Sequence, residues 1–201
     1  TRWFEGIELS YAEHIFKNLS NENPAIVFKS EHHEFQKTTW KSLLSQTGKI
    51  ANYLKSCGVQ KGDRVCSMLP NSPEAIVAFL ATNSLGAIWT SCSPDFGIKS
   101  ILDRFSQIEP KVFISTNAYQ YNGKIFNKID EVKEITSSIP SITNVLLVDY
   151  MEGIETDLVS DSWEKIISGK EVELDFERVD FNHPIWILYS SGTTGKPKAI
   201  T

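Results

Sequence analysis

A run of glycine, hydroxyl-bearing and lysine residues near the end of the chain has the composition of a loop that binds phosphate. The run is YSSGTTGKPKAI, residues 189–200. Its candidate phosphate-binding residues are Ser190, Ser191, Gly192, Thr193, Thr194, Gly195, Lys196 and Lys198. Glycines permit a tight turn whose backbone N–H groups point at an anion, hydroxyls donate to phosphate oxygens, and lysines add positive charge. We therefore predict that residues 189–199, which we call the phosphate loop, bind a polyphosphate.

Two other interpretations of the loop must be weighed. A Walker A loop would place four residues between its glycines and follow its lysine with Ser or Thr. Here two residues separate Gly192 from Gly195, and Pro197 follows Lys196, so the pattern is not Walker A. A flexible surface loop rich in glycine and threonine has the same composition, and composition alone leaves that alternative open.

The rest of the chain predicts elements that could position such a loop. Short apolar segments alternate with segments of helical periodicity, which is typical of βαβ units and of a mostly parallel sheet with helices on its faces. The predicted strands cover residues 63–70, 86–94, 111–116, 144–150 and 184–190. The predicted helices cover residues 40–57, 71–86, 97–110, 124–140 and 162–169. Two shorter strands, 24–30 and 33–40, predict a small N-terminal β-hairpin.

Several residues mark the predicted helix ends. Thr38 or Thr39 is a suitable N-cap for the first long helix, and Ser72 with Pro73 is suited to begin the second. Gly86 stands where a helix-ending glycine is expected. The phosphate loop follows the last predicted strand directly. Ligands of parallel sheets lie beyond the carboxyl ends of the strands, so this position agrees with a binding role.

Composition excludes several classes of protein. The chain has 20 basic and 25 acidic residues, a net charge of −5, and no basic stripe, so nucleic acid is not an expected partner. The longest apolar run, residues 75–81, is too short to cross a membrane. The three cysteines, Cys57, Cys66 and Cys92, lack the spacing of a zinc site or a disulfide framework. We interpret them as reduced thiols of a cytoplasmic protein, and we predict no metal-binding residue in the chain.

The loop sequence resembles the signature loop of the adenylate-forming (AMP-binding) enzymes, which include acyl-CoA synthetases, luciferases and the adenylation domains of peptide synthetases. Only Ala199 departs from that signature, in which glycine is usual. The resemblance implies that the loop binds the β- and γ-phosphates of ATP and that Mg²⁺ bridges those phosphates. It also implies two half-reactions: a carboxylate and ATP give an acyl-adenylate and pyrophosphate, and CoA then takes the acyl group.

Three further segments resemble one branch of this family. WFEGIELSYAEHI (3–15) is similar to the N-terminal signature of the branch that activates acetate and acetoacetate. SCSPDFG (91–97) and DRFSQIEPKV (103–112) resemble the acetoacetate-activating members. We therefore expect a small carboxylate substrate, acetoacetate first, with ATP, Mg²⁺ and CoA. The alternatives are another acid (acetate, a fatty acid or an amino acid) or a non-catalytic nucleotide-binding fragment.

The resemblance also bears on domain organisation and on CoA. We expect residues 1–201 to be the N-terminal part of one AMP-binding (adenylation) domain, ending after the phosphate loop. The acid pocket and the catalytic lysine of the family lie further along, so this piece alone is expected to be inactive. YNGK, residues 121–124, stands where related enzymes have a basic segment that holds the nucleotide end of CoA, which makes Lys124 a candidate CoA-binding residue.

Overall fold

The computed structural model describes residues 3–190 and 195–201, and it contains strands and helices in alternation. The strands are β1 (Glu8–Leu9), β2 (Ile26–Phe28), β3 (Gln36–Thr38), β4 (Arg64–Met68), β5 (Ile88–Cys92), β6 (Val112–Thr116), β7 (Ala118–Tyr121), β8 (Lys124–Asn127), β9 (Asn144–Val148), β10 (Asp161–Ser162), β11 (Val179–Asp180), β12 (Leu188–Ser190) and β13 (Lys198–Ile200). The helices are α1 (Tyr11–Ile15), α2 (Trp40–Ser56), α3 (Pro73–Ser84), α4 (Ile98–Phe105), α5 (Ile129–Ser138) and α6 (Trp163–Ile167), with a short 3₁₀ turn at Phe16–Asn18.

The centre of the molecule is a five-stranded parallel sheet in the order β10-β9-β6-β4-β5. This confirms the predicted α/β class with a mostly parallel sheet. Every residue of β6, the middle strand, is buried. A strand that is covered on both faces needs side chains that are apolar or hydrogen-bonded. In β6, Val112, Phe113 and Ile114 are apolar, and the hydroxyls of Ser115 and Thr116 donate to backbone carbonyl oxygens.

Helices cover both faces of the sheet. Along β6, Val112 and Ile114 pack into the core on the face of α2, α3 and α6. Phe113, between them, packs on the opposite face with Ile101 of α4 and Ile135 of α5. This alternation follows from the two-residue period of a strand. The two cores fix α3 and α4 at the ends of β4 and β5, where the phosphate loop also lies.

The predicted N-terminal hairpin and the predicted helix ends are largely confirmed. β2 pairs antiparallel with β3. Thr39 caps α2, its hydroxyl accepting from the backbone N–H of Ser42 at 3.1 Å. Ser72 and Pro73 begin α3, although no capping hydrogen bond from the Ser72 hydroxyl is formed within the described residues. Gly86 follows α3 with φ of +65°, as expected of a helix-ending glycine.

The prediction of one helix over residues 124–140 is wrong in its first part. Lys124–Asn127 forms β8, which pairs antiparallel with β7, and α5 begins only at Ile129. The cause is the Asn122–Gly123 turn, whose positive φ angles of 50° and 72° turn the chain tightly back on itself. Asn-Gly is the strongest short-range hairpin signal, and here it prevails over helical periodicity.

The predicted strand over residues 184–190 is only partly a strand of the central sheet. Trp186 makes an isolated parallel bridge to Trp89 of β5, so the chain runs along that edge of the sheet. The backbone N–H of Trp89 donates to the carbonyl oxygen of Ile185 at 3.1 Å, and the N–H of Ile187 donates to the carbonyl oxygen of Trp89 at 2.8 Å. Leu188–Ser190 then leaves the edge and pairs antiparallel with β13. None of the helices among the described residues has the length and apolar character needed to cross a membrane.

Candidate functional site

The phosphate loop connects two paired strands. Ser190, the last residue of β12, pairs with Lys198, the first residue of β13, and Tyr189 pairs with Ala199. The antiparallel pairing holds the two ends of the loop side by side. Four of the predicted phosphate-binding residues fall outside the described residues: Ser191, Gly192, Thr193 and Thr194.

The described part of the loop is suited to an anion. Gly195 has φ of +93°, and a β-carbon built on it would meet nothing within 4 Å, so open space lies beside it. Lys196 and Lys198 are exposed, and among the residues that the structure describes neither forms an ion pair. Positive charge without a protein partner beside a glycine turn is what a phosphate-binding site requires.

Ala199, the one departure from the signature, fits its position. It lies inside β13, paired with Tyr189, in extended backbone. Only a left-handed conformation would make alanine strained there. The substitution therefore leaves the backbone of the loop exit unstrained.

The described ends of the loop stand at the carboxyl edge of the central sheet, as predicted. The chain around Trp186 runs parallel to β5, with Trp186 bridged to Trp89. The phosphate loop therefore follows at the same edge of the sheet as the turn at residues 93–97, which follows β5. That turn is the last part of the SCSPDFG segment and leads into α4. The Ser93 hydroxyl bonds the Asp95 carboxylate at 3.0 Å, which closes the turn locally. The structure thus brings together two segments that the sequence analysis treated separately.

Helix α4 forms the wall facing the loop. The Tyr189 hydroxyl donates to the carbonyl oxygen of Arg104 at 3.0 Å, and the Gln107 side chain donates to the carbonyl oxygen of Pro197 at 2.9 Å. A cleft of about 580 Å³ lies between Gly195 and Pro197 on one side and Ser100, Asp103 and Arg104 on the other. The cleft places a polar helix face opposite the end of the loop.

Burial raises the pKa of Tyr189, the first residue of the loop. Removal from water raises the pKa of Tyr189 to about 12, because burial disfavours the phenolate. The hydroxyl is therefore protonated at neutral pH and remains the donor in its bond to Arg104. The stem of the loop is held by a neutral hydrogen bond that does not change across the physiological range.

The described residues offer no ready metal site. Residues 3–190 and 195–201 contain no group of three or more His, Cys, Asp or Glu side chains that could hold an ion. We assign no metal ligand in the described part of the chain.

Lys124, the candidate CoA residue, lies on a different hairpin. It begins β8 directly after the Asn122–Gly123 turn, and it is exposed. The hairpin follows the carboxyl end of β6, so it leaves the same edge of the sheet as the phosphate loop. The backbone N–H groups of Asn122 and Gly123 already donate to Glu31, at 2.9 Å to each carboxylate oxygen. A negative side chain therefore binds the turn that precedes Lys124.

Sequence reasoning missed Arg104 and Gln107, which contact the two ends of the phosphate loop, and Glu31, which binds the Asn122–Gly123 turn. Arg104 and Gln107 lie three residues apart near the end of a predicted helix, which places them on one face. That spacing could have marked a face, but not the strand that it contacts. No sequence signal connected Glu31 with the Asn122–Gly123 turn.

Comparison with known proteins shows the family to which the chain belongs. Residues 16–201 match the family model described as AMP-binding enzyme. The chain is 39% identical to the acetoacetyl-CoA synthetase of Rattus norvegicus over 208 aligned positions, covering 98% of this chain and 31% of that protein. It is 39% identical to the acetoacetyl-coenzyme A synthetase of Rhizobium meliloti, with 99% and 31% covered. A malonamoyl-CoA synthetase of Penicillium aethiopicum is 35% identical, with 98% and 30% covered.

A solved structure matches the fold as well as the sequence. The acetoacetyl-CoA synthetase from Streptomyces lividans superposes with a TM-score of 0.93 at 42% identity, covering 99% of this chain and 31% of that one. The chain thus spans about a third of the length of the relatives that it matches.

Proposed function

Because the chain belongs to the AMP-binding enzyme family, we propose that it is part of an ATP-dependent ligase that joins a small carboxylic acid to CoA. The observation that carries the proposal is the loop of residues 189–199, held between paired strands at the carboxyl edge of a parallel sheet. Its sequence resembles the family signature, and its described lysines are exposed and form no ion pair within the described residues. Residues 1–201 belong, in this proposal, to one adenylation domain.

The loop residues are assigned to the β- and γ-phosphates of ATP. Lys198, at the first position of β13, brings positive charge to the loop exit, and Gly195 leaves space for a phosphate beside it. Ser190 ends the strand that enters the loop, and Lys196 lies two residues before the strand that leaves it. Ser191, Gly192, Thr193 and Thr194 are assigned to the same phosphates by sequence alone. Together these groups offset the charge of the departing pyrophosphate.

The reaction has two steps. A carboxylate oxygen attacks the α-phosphorus of ATP, the bond to the β-phosphate oxygen breaks, and an acyl-adenylate and pyrophosphate result. The thiol of CoA, losing its proton, then attacks the acyl carbon, and AMP leaves with the electrons of the acyl–oxygen bond. Such displacements depend on positioning and on stabilising developing charge, which is the role of the loop. Mg²⁺, when bound to the phosphates, neutralises further negative charge.

Acetoacetate is the first candidate acid. The relatives from Rattus norvegicus, Rhizobium meliloti and Streptomyces lividans are named for acetoacetyl-CoA, and the one from Penicillium aethiopicum for malonamoyl-CoA. Acetoacetate and malonamate are both short acids with a carbonyl group on the β-carbon. We therefore propose a β-carbonyl carboxylate as the substrate class.

CoA binding and location complete the proposal. Lys124 is assigned to a phosphate of CoA, supported by its exposure and by the position of its hairpin at the carboxyl edge of the sheet. A reducing compartment, the cytoplasm, is proposed because Cys57, Cys66 and Cys92 are free thiols and burial raises the pKa of each of them.

The test uses the full-length protein that contains this chain. Pyrophosphate release is measured with ATP, Mg²⁺, CoA and either acetoacetate, malonamate, acetate or hexanoate. We expect turnover with the β-carbonyl acids, and we expect Lys198→Ala or Thr194→Ala to lower kcat/KM for ATP by roughly ten- to a hundredfold. Lys55→Ala, which removes a charge from α2, serves as the control. Undiminished turnover in Lys198→Ala and Thr194→Ala would refute the loop assignment, and a preference for hexanoate would refute the acid class.

A further inference from the structure

We infer that Arg104 is a positioning residue for the phosphate loop, because it joins the turn before α4 to the strand from which the loop starts. The inference rests on the proposed function, in which that loop holds ATP. Arg104 lies between two aromatic rings from different segments of the chain. Its guanidinium carbon is 4.9 Å from the centre of the Phe96 ring and 5.7 Å from that of Tyr189.

The two rings belong to the two segments that the sequence analysis singled out. Phe96 is the second-to-last residue of the SCSPDFG segment, and Tyr189 precedes the run of serines, glycines and threonines. A cation within about 6 Å of a ring face is attracted to it. One guanidinium that interacts with both rings therefore connects the turn at residues 93–97 with β12.

The guanidinium is itself held in place. Its Nη1 donates to the Ser100 carbonyl oxygen at 2.7 Å and also to the Ser100 hydroxyl. A planar guanidinium with two of its donor contacts on one residue loses little further freedom when it stacks on a ring. The Arg104 guanidinium is thus held in one orientation by its hydrogen bonds to Ser100.

The helix that carries Arg104 is anchored in the core. Ile101 and Phe105 are fully buried, and they pack with Phe113 of the central strand β6. Core side chains are closely packed and resist displacement. The position of Arg104 is therefore fixed by the sheet, and the loop is positioned against a rigid element.

The same helix end also holds the exit of the loop. Gln107 donates to the carbonyl oxygen of Pro197, while Arg104 accepts from Tyr189 through its own carbonyl oxygen. Both ends of the loop thus meet the last turn of α4 and the residues that directly follow it. A displacement of this turn would move the entry and the exit of the loop together.

Arg104 could act in two ways, by direct contact with phosphate or by positioning the loop, and substitutions distinguish them. If it contacted phosphate directly, its effect would depend on its charge and not on Phe96. If it positions the loop, loss of the Phe96 ring would have the same kind of effect as loss of Arg104. The two changes would then not add, since either one breaks the same connection.

The test compares Phe96→Leu, Arg104→Met and the double variant in the full-length protein. Phe35 and Lys37 provide the matched control, because the Lys37 ammonium lies 5.6 Å from the centre of the Phe35 ring on the N-terminal hairpin. Two quantities are measured: hydrogen exchange of residues 186–190 and 198–201 without ligand, and the Kd for ATP with Mg²⁺. Thermal unfolding shows whether each variant is folded.

We expect Phe96→Leu and Arg104→Met each to accelerate exchange in these segments and to raise the Kd for ATP by about three- to tenfold. The double variant should be no worse than the more affected single variant, Arg104→Lys should lie between wild type and Arg104→Met, and Phe35→Leu and Lys37→Met should have no effect. Wild-type exchange and ATP affinity in Phe96→Leu would overturn the inference, whatever Arg104→Met does. If the wild-type protein itself fails to bind ATP, the proposed function fails, and the exchange measurements still decide whether Arg104 positions the loop.

Discussion

At the scale of single residues, Glu31 shows how local chemistry modifies a candidate binding site. Hydrogen bonds from the backbone N–H groups of Gly123 and Asn122 lower the pKa of the Glu31 carboxyl, so it is ionised at neutral pH. It occupies the donors that the tight turn offers to an anion. A phosphate approaching Lys124 would meet this negative charge.

The substitution Glu31→Gln therefore tests the proposed role of Lys124. Removing the negative charge should lower the KM for CoA by about two- to fivefold in the full-length enzyme, more at low salt than at high salt, because exposed charges are screened. The KM for ATP should not change. The control is Glu22→Gln, which removes the charge of another exposed acidic residue in the N-terminal segment. An unchanged KM for CoA at every salt concentration would contradict an effect of the Glu31 charge on CoA binding at this hairpin.

At the scale of elements, an ion pair ties the start of one central strand to the turn before another. Lys111, before β6, donates to Asp63, before β4, at 2.8 Å and to the carbonyl oxygen of Gly58 at 2.7 Å. Burial alone would raise the pKa of Asp63. The bonds from Lys111 and from the Gln60 N–H outweigh burial and hold that pKa below its usual range.

This ion pair predicts a pH-dependent contribution to stability. A lowered pKa in the folded state means that the contribution is complete above the unfolded pKa of about 4 and is lost as pH falls through the folded value. Asp63→Asn should therefore lower the free energy of unfolding at pH 7, and the difference from wild type should shrink toward pH 3. Urea unfolding at pH 7, 5 and 3 measures it, with the exposed Asp175→Asn as control. A difference that stays constant across this range would contradict the assignment.

Periodicity and turn chemistry predicted most elements, and the exceptions have physical causes. Val112–Thr116 was predictable as a strand because it is buried on both faces. Lys124–Asn127 begins a segment of helical periodicity, and only the preceding Asn122–Gly123 turn indicates that it is a strand. The order of the strands, and the contact of Tyr189 with α4, depend on packing between distant segments, which a single sequence does not reveal. The phosphate loop remains a prediction from its residue types, whereas the contacts of its ends with Arg104 and Gln107 come only from the structure.

At the scale of the whole molecule, the described fold positions a phosphate loop but covers only part of what related enzymes contain. The chain spans 31% of the matched Streptomyces lividans protein while reproducing its fold over that length with a TM-score of 0.93. The five-stranded sheet has two cores of its own and can hold the loop in place. We propose that the acid pocket of the family is formed by the part of the relatives that this chain does not match.

The 201-residue chain on its own should therefore lack ligase activity. We expect no pyrophosphate release above background from ATP and acetoacetate, because positioning of the acid against the α-phosphorus supplies much of the rate. The full-length protein, assayed at the same concentration, is the positive control. Circular dichroism establishes that the isolated chain is folded. Turnover by the folded chain alone would mean that its own residues provide an acid site.

The pairing of Ser190 with Lys198 restricts the length of the phosphate loop. Successive strand residues point to opposite faces, so an added or removed residue that the loop does not absorb would turn Lys198 to the other face of the hairpin or force a bulge. Changes of residue type leave that register intact, as alanine does at position 199. Insertions and deletions in this loop should therefore be rarer among functional variants than substitutions, because the spacing carries a constraint that individual side chains do not.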